Sequence, residues 1–240
     1  MPQFDLESAT VLNKALPLPL LVEIAKADSL PENLREELAP VVWARAVLLD
    51  RPKDADSIAS TLAAVRPGLK TYAAQYSAAR TDDERRFLAA YAVAHFPGLR
   101  PAVNNSSPRV TRFDYADNYR DNWWCKDGLP IEYAVWPGYE SKTAPIPRLP
   151  FLSDEQRAQA AADFNQIAAM SPGADWLSDT LIAWAKSHSD DERSPEALHF
   201  AWRATRYGCD VRQNRSREIY VLLHRRYPGS AWTKKTRVWW

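Results

Sequence analysis

An all-α protein is predicted: an irregular α-solenoid of antiparallel helical hairpins interrupted by one long aromatic- and Pro-rich irregular insert. Three observations carry this. Helix-start signals fall at the first residues of apolar stripes with the helical period, and no segment sustains period-two alternation. Between them, residues 97–152 follow neither period. Only 7 Gly against 10 Trp agree with bulky helix interfaces rather than a sheet with many tight turns.

The elements follow in chain order. The N-terminal helical block spans 1–96. Ser29-Leu-Pro-Glu32 fits a capping box, in which hydroxyl and carboxylate satisfy orphan N–H groups reciprocally, and Leu34, Leu38, Val41, Val42 and Leu49 then recur at helical spacing. Thr81-Asp-Asp-Glu84 opens the next stripe, Phe87, Leu88, Tyr91 and His95, which Pro97-Gly98 closes. The insert, 97–152, is longer than the ~12–15 residues usual for a structureless connection. It contains Phe113, Tyr115, Tyr119, Trp123, Trp124, Tyr133, Trp136 and Tyr139, a composition that packs rather than stays disordered. Laid across the helices, most of these rings would be structural.

The C-terminal helical hairpins span 153–240. Ser153-Asp-Glu-Gln156 is a third capping box, and Ser194-Pro195 reads as a cap followed by proline in the first helical position. The first hairpin runs Trp176 to His188 and Ser194 to Tyr207; the second runs Ser216 to Tyr227 and Ser230 to Trp240. Connections of roughly three to seven residues make successive helices antiparallel neighbours. The three segments form one continuous unit in this reading.

The junction Tyr220-Val-Leu-Leu-His-Arg-Arg-Tyr-Pro-Gly-Ser-Ala-Trp232, followed by Lys235-Thr236, resembles that of tetratricopeptide repeats in bacterial envelope proteins. There a helix ends in an aromatic-Pro dipeptide and a small polar residue caps the next helix; here Tyr227-Pro228 and Ser230 take those places. Leu181 to His188 followed by Ser194 to Leu198 is similar, with a longer turn. Glu218 and Arg225 stand where the repeat has small residues. The chain also resembles the C-terminal part of larger bacterial repeat proteins. The resemblance implies a non-catalytic scaffold that binds other proteins, with no catalytic residues and no cofactor.

Charge and hydropathy narrow the partners. A formal charge of +1 gives no overall attraction to polyanions, and no run of eighteen apolar residues could span a membrane. The C-terminal quarter is locally basic: Arg203, Arg206, Arg212, Arg215, Arg217, Arg225, Arg226, Lys234, Lys235 and Arg237 outnumber Glu196, Asp210 and Glu218. With Tyr207, Tyr220, Tyr227 and Trp232 interleaved, these could bind a polyanion by charge and stacking. Because the aromatics fall on the apolar stripes, a solvated helix face is favoured over nucleic-acid binding. Trp239 and Trp240 at the terminus either plug a groove in this domain or mark an interface with a partner or a second copy, that is, self-association.

The candidate binding residues lie in the insert: Trp123, Trp124, Tyr133, Trp136 and Tyr139, with Asp117 and Asp121 (and Asp114) between rings. Carboxylates framed by aromatic platforms are what a glycan site needs, so a carbohydrate-binding or -processing module is the competing class. Cys125 and Cys209 allow one disulfide, worth about 4–5 kcal/mol on the chain-entropy model, or remain two separate thiols. A bridge requires an oxidising compartment such as a bacterial periplasm or envelope, with the export signal absent from this chain. The alternative is the cytoplasm. No metal site is expected, because His95, His188, His199 and His224 fall on separate helices.

Overall fold

The computed structural model describes residues 4–103, 112–115, 119, 148–207 and 212–239. Among them the chain is helical throughout, with eleven α-helices and no strand. They fall in two compact units.

Unit 1 comprises Met1–Ser77, Leu99–Thr111 and Leu129–Ala169. Its helices are α1 (Leu6–Thr10), α2 (Leu18–Lys26), α3 (Glu32–Leu48), α4 (Pro52–Val65), α5 (Lys70–Ser77) and α7 (Asp154–Ala168), with a π-helical turn at Val11–Ala15 and a 3-10 turn at Pro67–Leu69. Helix α3 is the core: every residue from Glu37 to Leu48 is buried, against α2 on one side and α4 on the other. Its Trp43 is fully enclosed and meets Tyr76 edge-on at 5.8 Å.

Burial of a helix on all sides forces its polar groups to find partners inside the fold. Pro40 sits in α3 and has no N–H for the carbonyl of Glu36. Arg66, at the C-cap of α4, donates Nη2 to that carbonyl at 3.2 Å instead. Arg45 donates to the carbonyls of Leu12 and Asn13 at 2.9 and 2.7 Å, closing the end of the π-helical turn. Its burial pushes the guanidinium pKa down to about 10. Helix α3 ends in a left-handed Asp50 (φ 55°), with Arg51 N–H donating to Ala46 O at 2.8 Å. That is the Schellman closure, made here without glycine.

Two long-range side-chain links complete unit 1. Asp163 of α7, 1% exposed, accepts from the backbone N–H of Leu18 at 3.0 Å, from Arg51 at 3.1 Å and from Gln159 at 2.6 Å. It thereby caps α2, whose own N-cap, Pro17, offers no side-chain acceptor. Asn13 places its amide against the backbone of Val103, donating to the carbonyl at 3.0 Å and accepting from the N–H at 2.9 Å.

Unit 2 comprises Ala78–Gly98, Arg112–Gly128 and Met170–Trp240. It holds α6 (Asp82–His95), α8 (Gly173–Ser187), α9 (Ser194–Tyr207), α10 (Arg215–Arg226) and α11 (Ala231–Lys235). Helix α9 is central and touches the other four. Ala197, Ala201 and Ala204 are wholly buried on it, and small side chains at this spacing let neighbouring helices come close. Leu177, Leu181 and Leu198 fill the α8–α9 interface, and Ile219 and Leu223 seat α10.

The start signals hold unevenly. The Ser153–Gln156 capping box forms in full, with bonds of 2.9 and 3.2 Å. Thr81 caps α6, but Glu84 reaches back to Arg80 N–H instead of Thr81 N–H. Ser29 caps nothing: α3 starts at Glu32 with Pro31 as its N-cap, because proline already fixes the entry geometry. Ser194 is the first helical residue rather than the cap, its hydroxyl turned back to His188 O at 3.4 Å.

The last helix is shorter than its apolar pattern suggests. Instead of continuing towards Trp240, α11 stops at Lys235 because side chains of α9 and α10 capture the backbone beyond it. His224 Nε2 donates to Thr236 O at 2.7 Å, and Trp202 Nε1 donates to Val238 O at 2.9 Å. The Thr236 hydroxyl pairs with His199 Nδ1 at 2.8 Å.

Candidate functional site

Most residues expected to form a site lie outside the described residues: Asp117, Asp121, Trp123, Trp124, Tyr133, Trp136, Tyr139, both cysteines Cys125 and Cys209, and Trp240. Four insert aromatics are described at least in part, one of them Phe151, which is exposed. Tyr119 is 1% exposed and donates its hydroxyl to Ala94 O at 2.7 Å, so this ring is core. Its burial raises the phenol pKa far above the usual value. Phe113 O accepts from Gly98 N–H at 2.8 Å, and Tyr115 is exposed beneath the Arg112 guanidinium. Asp114 is exposed beside Arg112 at 3.8 Å, a solvated loop acid.

Within unit 2, rings and histidines stack into a continuous spine. Phe87 of α6 stacks on Trp184 of α8 at 4.5 Å, and Trp184 on His188 at 3.6 Å. Tyr91 leads to His95, His95 to Phe200, and Phe200 to Trp232, with centroids 4.3–5.8 Å apart. Glu196 of α9 closes one rung: it accepts a short bond from the Tyr91 hydroxyl, and its other oxygen lies 3.4 Å from His95 Nε2. His95 Nδ1 is 2.8 Å from Tyr91 O. A carbonyl only accepts, so Nδ1 carries the hydrogen of that bond. The trio therefore ties α6 to α9. His95, His188, His199 and His224 lie on or at the ends of different helices, and no three potential metal ligands gather among the described residues.

The basic residues of the C-terminal quarter divide sharply. Arg212 pairs with Asp175 at 3.2 Å and also with Asp179. Arg215 pairs with Asp179 and Glu218, and Lys186 with Glu218 at 3.1 Å. Arg226 donates to the carbonyls of Ala185 and Lys186 at the C-terminal end of α8. Arg203 and Lys235 lie over the rings of Phe200 and Trp232. Of the other five, Arg206 lies over the Tyr207 ring and Arg237 donates to Lys234 O, while Lys234, Arg217 and Arg225 are exposed and without an ion pair among the described residues; of these three, Arg217 and Arg225 stand on α10.

These two cations mark a groove of about 740 Å3 on the outer side of α10. Arg217, Val221 and Arg225 are spaced i, i+4 and i+8, so they share one face opposite the buried Ile219 and Leu223. Leu222 and the Lys186–Glu218 pair form the side towards α8. Val221 is 49% exposed. In the C-terminal segment Val238 is exposed, and Trp239, 50% exposed, leans on Tyr220 at 4.9 Å.

No family model, curated protein or solved structure matches the chain. The groove was missed in the sequence because Val221 sits within a basic segment, and Leu222 reads as part of the apolar stripe Ile219, Leu222, Leu223 and Tyr227. The readable signal was the Arg217-Val221-Arg225 spacing on the face that the stripe leaves free.

Proposed function

We propose that this chain is a non-catalytic interaction scaffold, an irregular α-solenoid of the tetratricopeptide-like kind working in a bacterial cell envelope, and that the outer face of α10 is where a protein partner docks. The observation that carries it is the pair of exposed cations, Arg217 and Arg225, bracketing a half-exposed Val221 over an open groove. That arrangement suits an acidic segment with an aliphatic anchor: the anchor removes Val221 and Leu222 from water while carboxylates meet the guanidinium groups.

A nucleic acid suits the face less well. Tyr220 is covered by His224 and Trp239 instead of presenting the open stacking platform that a nucleic acid uses. The packing of α8, α9 and α10 through short connections supports the solenoid reading.

The test is fluorescence anisotropy with a labelled Glu/Leu amphipathic helical peptide, beside an oligonucleotide of equal charge. Saturable peptide binding lost in Val221→Asp and in Arg217→Glu/Arg225→Glu supports the reading. Equal or tighter oligonucleotide binding would return the face to polyanion recognition, and no binding by either would remove α10 as the docking face. For the envelope assignment, the check is a thiol count on protein exported to a periplasm. A Cys125–Cys209 bridge in the monomer supports it; two free thiols sink it.

A further inference from the structure

Unit 1 holds a second cavity of about 410 Å3, walled by the π-helical turn, residues 148–152 and α7. We propose that it is a binding site for a small amphiphilic carboxylate, a medium-length acyl chain carrying one anionic head.

The interior is apolar. Ala15, Leu152 and Ala160 are buried at its base, and Phe164 forms one wall. Surface of this kind favours a hydrocarbon chain by ~25 cal/mol per Å2 removed from water. The volume is in the lower part of the ~300–1,000 Å3 range of small-molecule sites, enough for one short chain and too little for a protein element.

The lining is also one-signed. Lys14, Arg148 and Arg157 all contribute to it, and no carboxylate does among the described residues. Arg157 is held in place by donating to the carbonyls of Leu149 and Leu152, and it pairs with Asp154 outside the lining. The Lys14 ammonium lies 5.6 Å from the centroid of the Phe164 ring. Arg148 is exposed and has no ion-pair partner among the described residues, which leaves its fork to take a carboxylate in two parallel bonds. An apolar lining that carries Lys14 and Arg148, beside the Asp154-paired Arg157, favours an anionic amphiphile over its cationic counterpart.

The experiment is calorimetric titration of the full chain with sodium decanoate below its micelle concentration, with decyltrimethylammonium as the charge-reversed control. Two variants separate head from chain: Arg148→Glu reverses an exposed charge, and Ala161→Leu fills the cavity from an exposed position of α7 with a strong helix former. The expected result is one decanoate per chain, at least about tenfold weaker in each variant and unchanged by Val221→Asp. Circular dichroism confirms that the variants fold. Absent or unsaturable decanoate binding, equal binding of decyltrimethylammonium, or retained affinity in both variants each overturns the proposal.

Discussion

Asp163 binds three donors from three parts of unit 1: the first turn of α2, the end of α3 and its own helix. Replacing it by Ala leaves Leu18 N–H uncapped and Arg51 without its counter-ion. Removing one partner of a buried charge pair costs about 3–5 kcal/mol; since Arg51 is a third exposed, a loss of about 3 kcal/mol is expected, read from denaturant midpoints. Trp184 has a similar place in unit 2, stacked between Phe87 and His188 and donating Nε1 to Asp191 at 2.9 Å. Trp184→Ala should cost about 3–5 kcal/mol, and Trp184→Phe, which keeps a ring but loses the bond, clearly less. In the sequence Trp184 recurs at helical spacing with Leu177, Leu181, Ala185 and His188, a stripe that turns inward. There was no such sign of Asp163, because the donor that decides its role is 145 residues away.

Helices were readable wherever a hydroxyl cap preceded a stripe, as at Thr81 and Ser153, because both signals are local. They were misread where a distant side chain set the boundary: the end of α11 belongs to His224 and Trp202, which no local pattern announces. Helix α3 shows the same dependence. Its Pro40 lies in the buried stretch Glu37–Leu48, and Arg66 satisfies the part-buried Glu36 carbonyl that proline leaves open. Arg66→Ala should therefore cost about 1 kcal/mol, the lower end of the penalty for an orphaned acceptor. In a Pro40→Ala background the restored N–H of residue 40 bonds Glu36 O itself, so the same substitution should cost less. A double-mutant cycle measures the difference, and strictly additive effects would refute the compensation.

The two-unit partition is where sequence reasoning ended, since the division into 1–96, 97–152 and 153–240 follows composition. Helix α6 packs with α8 and α9, whereas α7 packs on the π-helical turn. The candidate binding residues of the insert were chosen by composition alone, while the groove on α10 needed the burial of Ile219 and Leu223 to show which face was left over.

Acid should destabilise the molecule in two stages. Burial, with Arg203 and Lys235 nearby, pushes His199 down to about 4 from 6.5. Its folded value lies below the unfolded one, so the unfolded chain binds the proton first; the stability this group contributes is present above pH 6.5 and is lost as pH falls towards 4. Asp191 and Glu218 follow. Burial raises both, but bonds from Arg193 and Trp184, and from Lys186 and Arg215, outweigh it and hold them below their ordinary values. Their contribution is lost only as pH falls through that lower range. Thermal melts from pH 7 to pH 3 should show the first decline disappear in His199→Gln; an unchanged profile would remove His199 as its source.

The Asn13–Val103 pairing has a chemical corollary for how the protein ages. Hydrolysis of the side-chain amide would replace its NH2 with an oxygen, setting a carboxylate against the Val103 carbonyl now held at 3.0 Å. Because both ends of the amide are engaged, the folded chain shields Asn13 from the succinimide route, and only opened molecules expose it. Deamidation at this one position, followed by peptide mapping during storage, would then act as a clock for how often unit 1 opens.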